Sequence, residues 1–103
     1  LFLTLSELHT FGQFYLQNGQ WNGKQLLDPE WVKASTSKQV DNGAYGYGYL
    51  FWGGEQGTFR ADGKYGQLSI LCRDKDAVIT VVCECRDGAA LNRAIFDQLY
   101  PQL

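Results

Sequence analysis

What most constrains this chain is the stretch from Phe59 to Arg86, where two strand-like runs flank a short charged turn. In Gln67–Cys72, Leu68, Ile70 and Cys72 alternate with Gln67 and Ser69, the period of a sheet with one buried face. After Arg73-Asp74-Lys75-Asp76 comes Ala77–Glu84, whose core Val78-Ile79-Thr80-Val81-Val82-Cys83 is nearly continuously apolar and β-branched. Such a run needs cover on both faces, so the second strand is expected at the centre of its sheet. Four polar residues between the runs predict an antiparallel hairpin. Placing Cys72 opposite Ala77 sets Gly66 opposite Cys83. The tight corner Gly63-Lys64-Tyr65-Gly66 then belongs at the end of the hairpin away from its turn, at the mouth of the sheet.

The flanking segments read as helices and short ribbons. Thr4-Leu5-Ser6-Glu7 fits a capping box, with Leu3 and Leu8 at the staple positions. Leu5, Leu8, Phe11, Gly12, Tyr15 and Leu16 recur at helical spacing, and Asn18-Gly19 ends the helix in a left-handed stop. Asn22-Gly23 between short arms predicts a two-residue hairpin anchored by Trp21. Asp28-Pro29-Glu30 supplies an N-cap, a first-position proline and a first-turn acid for a short helix that can bury Trp31, Val32 and Ala34. After Asp87, Leu91, Ala94, Ile95 and Leu99 form the stripe of a last helix that Pro101 stops. The expectation is an α+β unit over residues 1–103, an antiparallel β-sheet backed by helices.

Composition narrows the function classes. With 103 residues, 45% of them hydrophobic, the chain can build one core. A net charge of −2 with interspersed signs argues against a nucleic-acid surface. No apolar run approaches the roughly 20 residues of a membrane helix. Cys72, Cys83 and Cys85 do not make a disulfide framework. With His9 the sole histidine and no C-x-x-C spacing, a metal site is not expected, nor is a cofactor. The cysteines read as small buried thiols, and His9 as a surface or partly packed side chain.

Two motifs call for a choice between chemistry and packing. Ser35-x-x-Lys38 has the spacing of a serine nucleophile and its lysine, but it ends a short helix and runs into a polar loop, so it reads as coincidence. Ala44–Trp52 alternates aromatic residues with glycine. As a strand it puts Tyr45, Tyr47, Tyr49 and Phe51 on one face, either as the wall of a cleft or as a small aromatic core with Trp21 and Trp31. Gly46 and Gly48 on the other face permit close approach.

A series of segments then acts together. Thr4–Leu8, Phe11–Gly19, Trp21–Leu27 with Glu30-Trp31-Val32, Tyr45–Tyr49 and Ala61–Gln67 occur in order and at spacings that resemble the C-terminal part of the β-lactamase-related serine hydrolases. That group includes class C β-lactamases, D-alanyl-D-alanine carboxypeptidases, esterases and 6-aminohexanoate-dimer hydrolase-like enzymes, and the resemblance covers nearly the whole chain. The family's nucleophilic Ser-x-x-Lys and its Tyr-x-Asn lie upstream of the matched region; Ser35-x-x-Lys38 does not stand in for the first, and no Tyr-x-Asn occurs here. Its Lys/His-x-Gly triplet matches Lys64-Tyr65-Gly66. The resemblance implies that Lys64 binds a substrate carboxylate or tunes proton transfer and that Gly66 lets substrate approach the strand. It implies further that the Gln67 N–H is one of two oxyanion donors. Tyr65, where a small residue is usual, would narrow the cleft or face away, with Tyr47 and Tyr49 beside the substrate. Read alone, the same four residues are a turn with a solvated lysine. They also spell the GXXG of KH domains, which the following strand and the acidic charge oppose.

On this reading the chain is the C-terminal fragment of a β-lactamase/transpeptidase-like fold. The parent acts on a small-molecule or peptide-like substrate by acyl transfer to serine, and the chain is inactive alone. The competing class is a degenerate, non-catalytic module that binds a ligand or protein through its aromatic strand. An uncovered sheet edge predicts a homodimer. The opening Leu1-Phe2-Leu3 carries no signal, and the compartment is left open.

Overall fold

A computed structural model describes residues 4–39, 48, 51–63, 67–84 and 86–103. Helix α1, Leu5–Leu16, starts as its sequence dictates: Thr4 accepts from the Glu7 N–H, and the Glu7 carboxylate accepts from the Thr4 N–H. It ends in a Schellman turn, in which Gly19 donates to Phe14 O and Asn18 to Tyr15 O, both at 3.0 Å. Asn18 stands there at φ 60° and Gly19 at φ 82°.

Strands β1 (Gln20–Trp21) and β2 (Lys24–Gln25) form the ribbon, with Asn22 and Gly23 both at positive φ as a type I′ turn requires. Helix α2, Pro29–Ser35, is capped by Asp28, whose side chain accepts from the Glu30 N–H. It buries Val32 completely and leaves Trp31 exposed, so Trp31 is not the core residue its position suggests.

The main sheet contains β3 (Trp52–Gly53), β4 (Phe59–Gly63), β5 (Gln67–Cys72) and β6 (Ala77–Val81), antiparallel and in that order. The expected Cys72–Ala77 pairing is present, and the ladder runs to Leu68–Val81. Two expectations are corrected. The inner strand is β5, buried on both faces from Leu68 to Cys72, and not a strand with one wet face. The apolar run occupies the edge of the described sheet and ends at Val81, with Val82 exposed. Continuous apolarity reports cover above and below a strand, not strand neighbours to left and right. Here helices supply that cover.

One face carries Leu68, Ile70, Cys72, Ala77, Ile79 and Val81 against Leu91, Ile95, Phe96 and Tyr100. On the other, α1 crosses β5 and β6 so closely that a Cβ on Gly12 would collide with Ser69 Oγ and lie 3.0 Å from Val78 Cγ1. Ser69 is buried there because its hydroxyl bonds Thr80 Oγ1 at 3.2 Å, which His9 Nδ1 meets at 2.7 Å.

Helix α3, Gly88–Ala94, is capped by Asp87 and runs on as a π turn, Ile95–Leu99, and a 3₁₀ turn, Tyr100–Gln102. Pro101 has no N–H and its ring crowds the carbonyl one turn back, so the helix widens there instead of stopping. The wider turn rotates the stripe: Phe96 and Tyr100 join Ile95 in the core, while Ala94 and Leu99 are exposed.

Candidate functional site

The mouth of the sheet lies where β4 hands over to β5. Gly63 pairs with Gln67 and Asp62 with Leu68. Gln67, exposed, therefore opens the inner strand, at the end opposite the Arg73–Asp76 turn. Lys64, Tyr65 and Gly66 connect this pair and lie outside the described residues, as do Tyr45, Tyr47 and Tyr49. On the adjoining strand Arg60 Nε meets Asp62 Oδ2 at 2.9 Å, and Arg60 Nη1 donates to Gly53 O at 3.3 Å, tying β4 to β3. This half-exposed pair adds about 0–1 kcal/mol at most, so it sets geometry near the mouth more than stability.

The described part of the aromatic segment serves packing. Phe51 is buried, stacks parallel to Phe11 with centroids 6.2 Å apart, and meets Tyr15 at 4.9 Å. Its ring partners among the described residues are thus on α1. Gly48 donates to Phe51 O, and a Cβ on it would run into the Ser35 and Ser37 carbonyls, so the close approach expected of this glycine is real.

Ser35 is no nucleophile. Its side chain is buried and its hydroxyl donates to Trp31 O at 2.7 Å, while Lys38 lies beyond the helix end, exposed. Thr36 and Ser37 likewise donate to Val32 O and Lys33 O, one turn back. Three successive hydroxyls bonding backward weaken the helix and end it there. Cys72 is fully buried, and that burial, with the Asp74 charge adding, pushes its thiol up to about 11, so it stays protonated and inert. No cluster of three metal-ligating side chains occurs among the described residues. No described helix is long and apolar enough to cross a membrane.

Two groupings are invisible in the linear pattern. Arg73, read as one residue of a charged turn, donates from Nη1 to Asn18 Oδ1 at 3.0 Å and to Leu16 O at 3.5 Å. From Nη2 it reaches Tyr15 O and Thr36 Oγ1, both at 3.3 Å. It thereby joins the C-terminal end of α1, the end of α2 and the β5–β6 turn. Burial lowers the pKa of this guanidinium from its usual value. Beside it Tyr100 donates to Asp74 Oδ2 at 3.1 Å, with Lys75 Nζ 5.4 Å from the centre of its ring. The partners lie 25 to 58 residues away, so no local signal announces either grouping.

No protein-family model matches the chain, and no curated protein matches it. Among solved structures, three chains match. One is described as "Putative 6-aminohexanoate-dimer hydrolase from Bacillus anthracis". It superposes with a TM-score of 0.72, at 25% sequence identity, over 96% of this chain and 28% of that chain. The chain has a hydrolase-like α+β fold. It spans 28% of the length of the protein it matches, and the likeness is to the β-lactamase/transpeptidase-like architecture.

Proposed function

We propose that the chain is the C-terminal portion of a serine hydrolase acting on amide or ester bonds through an acyl-enzyme. The observation that carries this reading is the superposition over 96% of the chain on a protein described as a hydrolase, of which it spans 28%. The nucleophile and its base belong to polypeptide outside this sequence. Lys64 binds a substrate carboxylate or tunes proton transfer, Gly66 admits substrate to the strand, and the Gln67 N–H shares the developing oxyanion with the nucleophile's own N–H. Tyr65, Tyr47 and Tyr49 flank the substrate, a small molecule or peptide-like compound. The neighbour's name points to an amide linking two short amino acids.

The position of Gln67 supports the assignment. It begins the inner strand of the sheet, paired with Gly63 and followed by five buried residues. A backbone donor on such a strand is fixed before the reaction and costs no reorganisation when charge develops, which is worth about 2.7–4 kcal/mol for one donor.

The test has two arms. The isolated chain should turn over neither nitrocefin nor a p-nitrophenyl ester above a Lys64→Ala control, and clear turnover refutes the reading. In a longer product of the same gene that carries Ser-x-x-Lys, Lys64→Ala should lower kcat/KM by about 10²-fold. Unchanged kcat/KM removes Lys64 from the site.

A further inference from the structure

We propose that the cleft between the end of α1, helix α2 and the β5–β6 turn binds a small carboxylate, held by Lys33 and Asn18 in the positive field of Arg73. The cleft has a volume of 390 Å³, within the range of small-ligand sites, and Glu30, Thr36 and Ser37 complete its lining.

Arg73 brings a guanidinium to this lining. Its four Nη hydrogens are matched by four oxygens, all neutral: two carbonyls, an amide and a hydroxyl. The hydrogen-bonding capacity is largely spent, but the charge is not neutralised. Arg73 forms no ion pair with a described residue, and neither does Lys33. Two cations against the single carboxylate of Glu30 leave the cleft one positive charge in excess. The lowered pKa of Arg73 has the same origin, a cation partly removed from water with no anion beside it.

The same bonds prepare a donor. A guanidinium can only donate, so the side-chain oxygen of Asn18 must be the atom facing Arg73. Its Nδ2 group is left as a donor without a partner among the described residues. Lys33 adds an ammonium on the exposed side of α2. One excess positive charge with an acid at the rim suits a monoanion, because Glu30 opposes a second negative charge. The site lies beyond the Cys72 end of β5, about 17 Å along the strand from Gln67, so it stands or falls apart from the mouth of the sheet.

The test is a titration of the full chain with acetate, with phosphate and with chloride at constant ionic strength, following the Asn18 side-chain amide by NMR. Acetate should saturate and chloride should not. Lys33→Gln should weaken acetate about fivefold, the Boltzmann factor for two unit charges 4 Å apart in water, and Glu30→Gln should strengthen it. Both residues are exposed, so both variants fold, which circular dichroism checks. A chloride response equal to that of acetate, an unchanged Lys33→Gln affinity, or phosphate binding more tightly than acetate overturns the proposal.

Discussion

Gly12→Ala tests how α1 sits on the sheet. On an open helix this change would stabilise by about 1 kcal/mol, because alanine is the better helix former. Here the added Cβ would run into Ser69 Oγ and touch Val78 Cγ1 at 3.0 Å. The helix can lift, at the overpacking cost of about 1–3 kcal/mol. Alternatively the Ser69 hydroxyl can swing away from Thr80 and lose a hydrogen bond of about 0.5–1.5 kcal/mol, leaving a buried donor unmatched. Set against the helix gain, the net expectation is a loss of about 1 kcal/mol, or about 4–8 °C in Tm for a domain near this size. Ser69→Ala removes the obstructing oxygen, so the double variant should be more stable than the sum of the singles by about 1 kcal/mol. Urea unfolding followed by tryptophan fluorescence measures all four species. A stabilised Gly12→Ala, or strict additivity with Ser69→Ala, would mean that α1 does not lie against Ser69.

Arg73→Gln should cost about 1–2 kcal/mol in the same assay, because it releases carbonyls at the end of α1 that a charged donor now satisfies; an unchanged midpoint would show the guanidinium to be ornamental. The Cys72 thiol is held protonated in the folded chain up to about pH 11, whereas in the unfolded chain it ionises near pH 9. Its contribution is therefore complete below pH 9 and is lost as pH rises toward 11, so stability should fall across that window in wild type and fall less in Cys72→Ala; parallel profiles would refute the linkage. The edge position of β6, with Val82, Trp52, Phe11 and Leu5 exposed, predicts self-association into a dimer, and light scattering that reports a monomer at high concentration counts against it.

Where the sequence speaks within a few residues, it speaks clearly. The Thr4–Glu7 capping box, the left-handed Asn18-Gly19 stop, the Asn22-Gly23 turn, the Asp28 cap and the Cys72–Ala77 pairing all have partners two to five positions apart. The candidate site was legible to a lesser depth. Gln67 opens its strand as expected, the structure makes that strand the inner one, and Lys64, Tyr65 and Gly66, on which the chemistry rests, lie outside the described residues. Arg73 reads as one charge in a turn because its acceptors are on helices distant in the chain.

The exchange of roles between β5 and β6 shows why the rest was hidden. Ser69 in an alternating run signals a wet face only if nothing can hydrogen-bond its hydroxyl inside. Thr80 opposite it does so, and Gly12 above it leaves room for a helix to close over both. The polar period in β5 is therefore a buried seam between sheet and helix. In β6 the same geometry needs Val78 beneath α1 and Ile79 above Ile95, hence apolar residues on both faces of a strand with a single described neighbour. Strand burial in this fold is set by which helices cross it. Those helices are chosen by a glycine and a pair of hydroxyls, which no apolar periodicity can report.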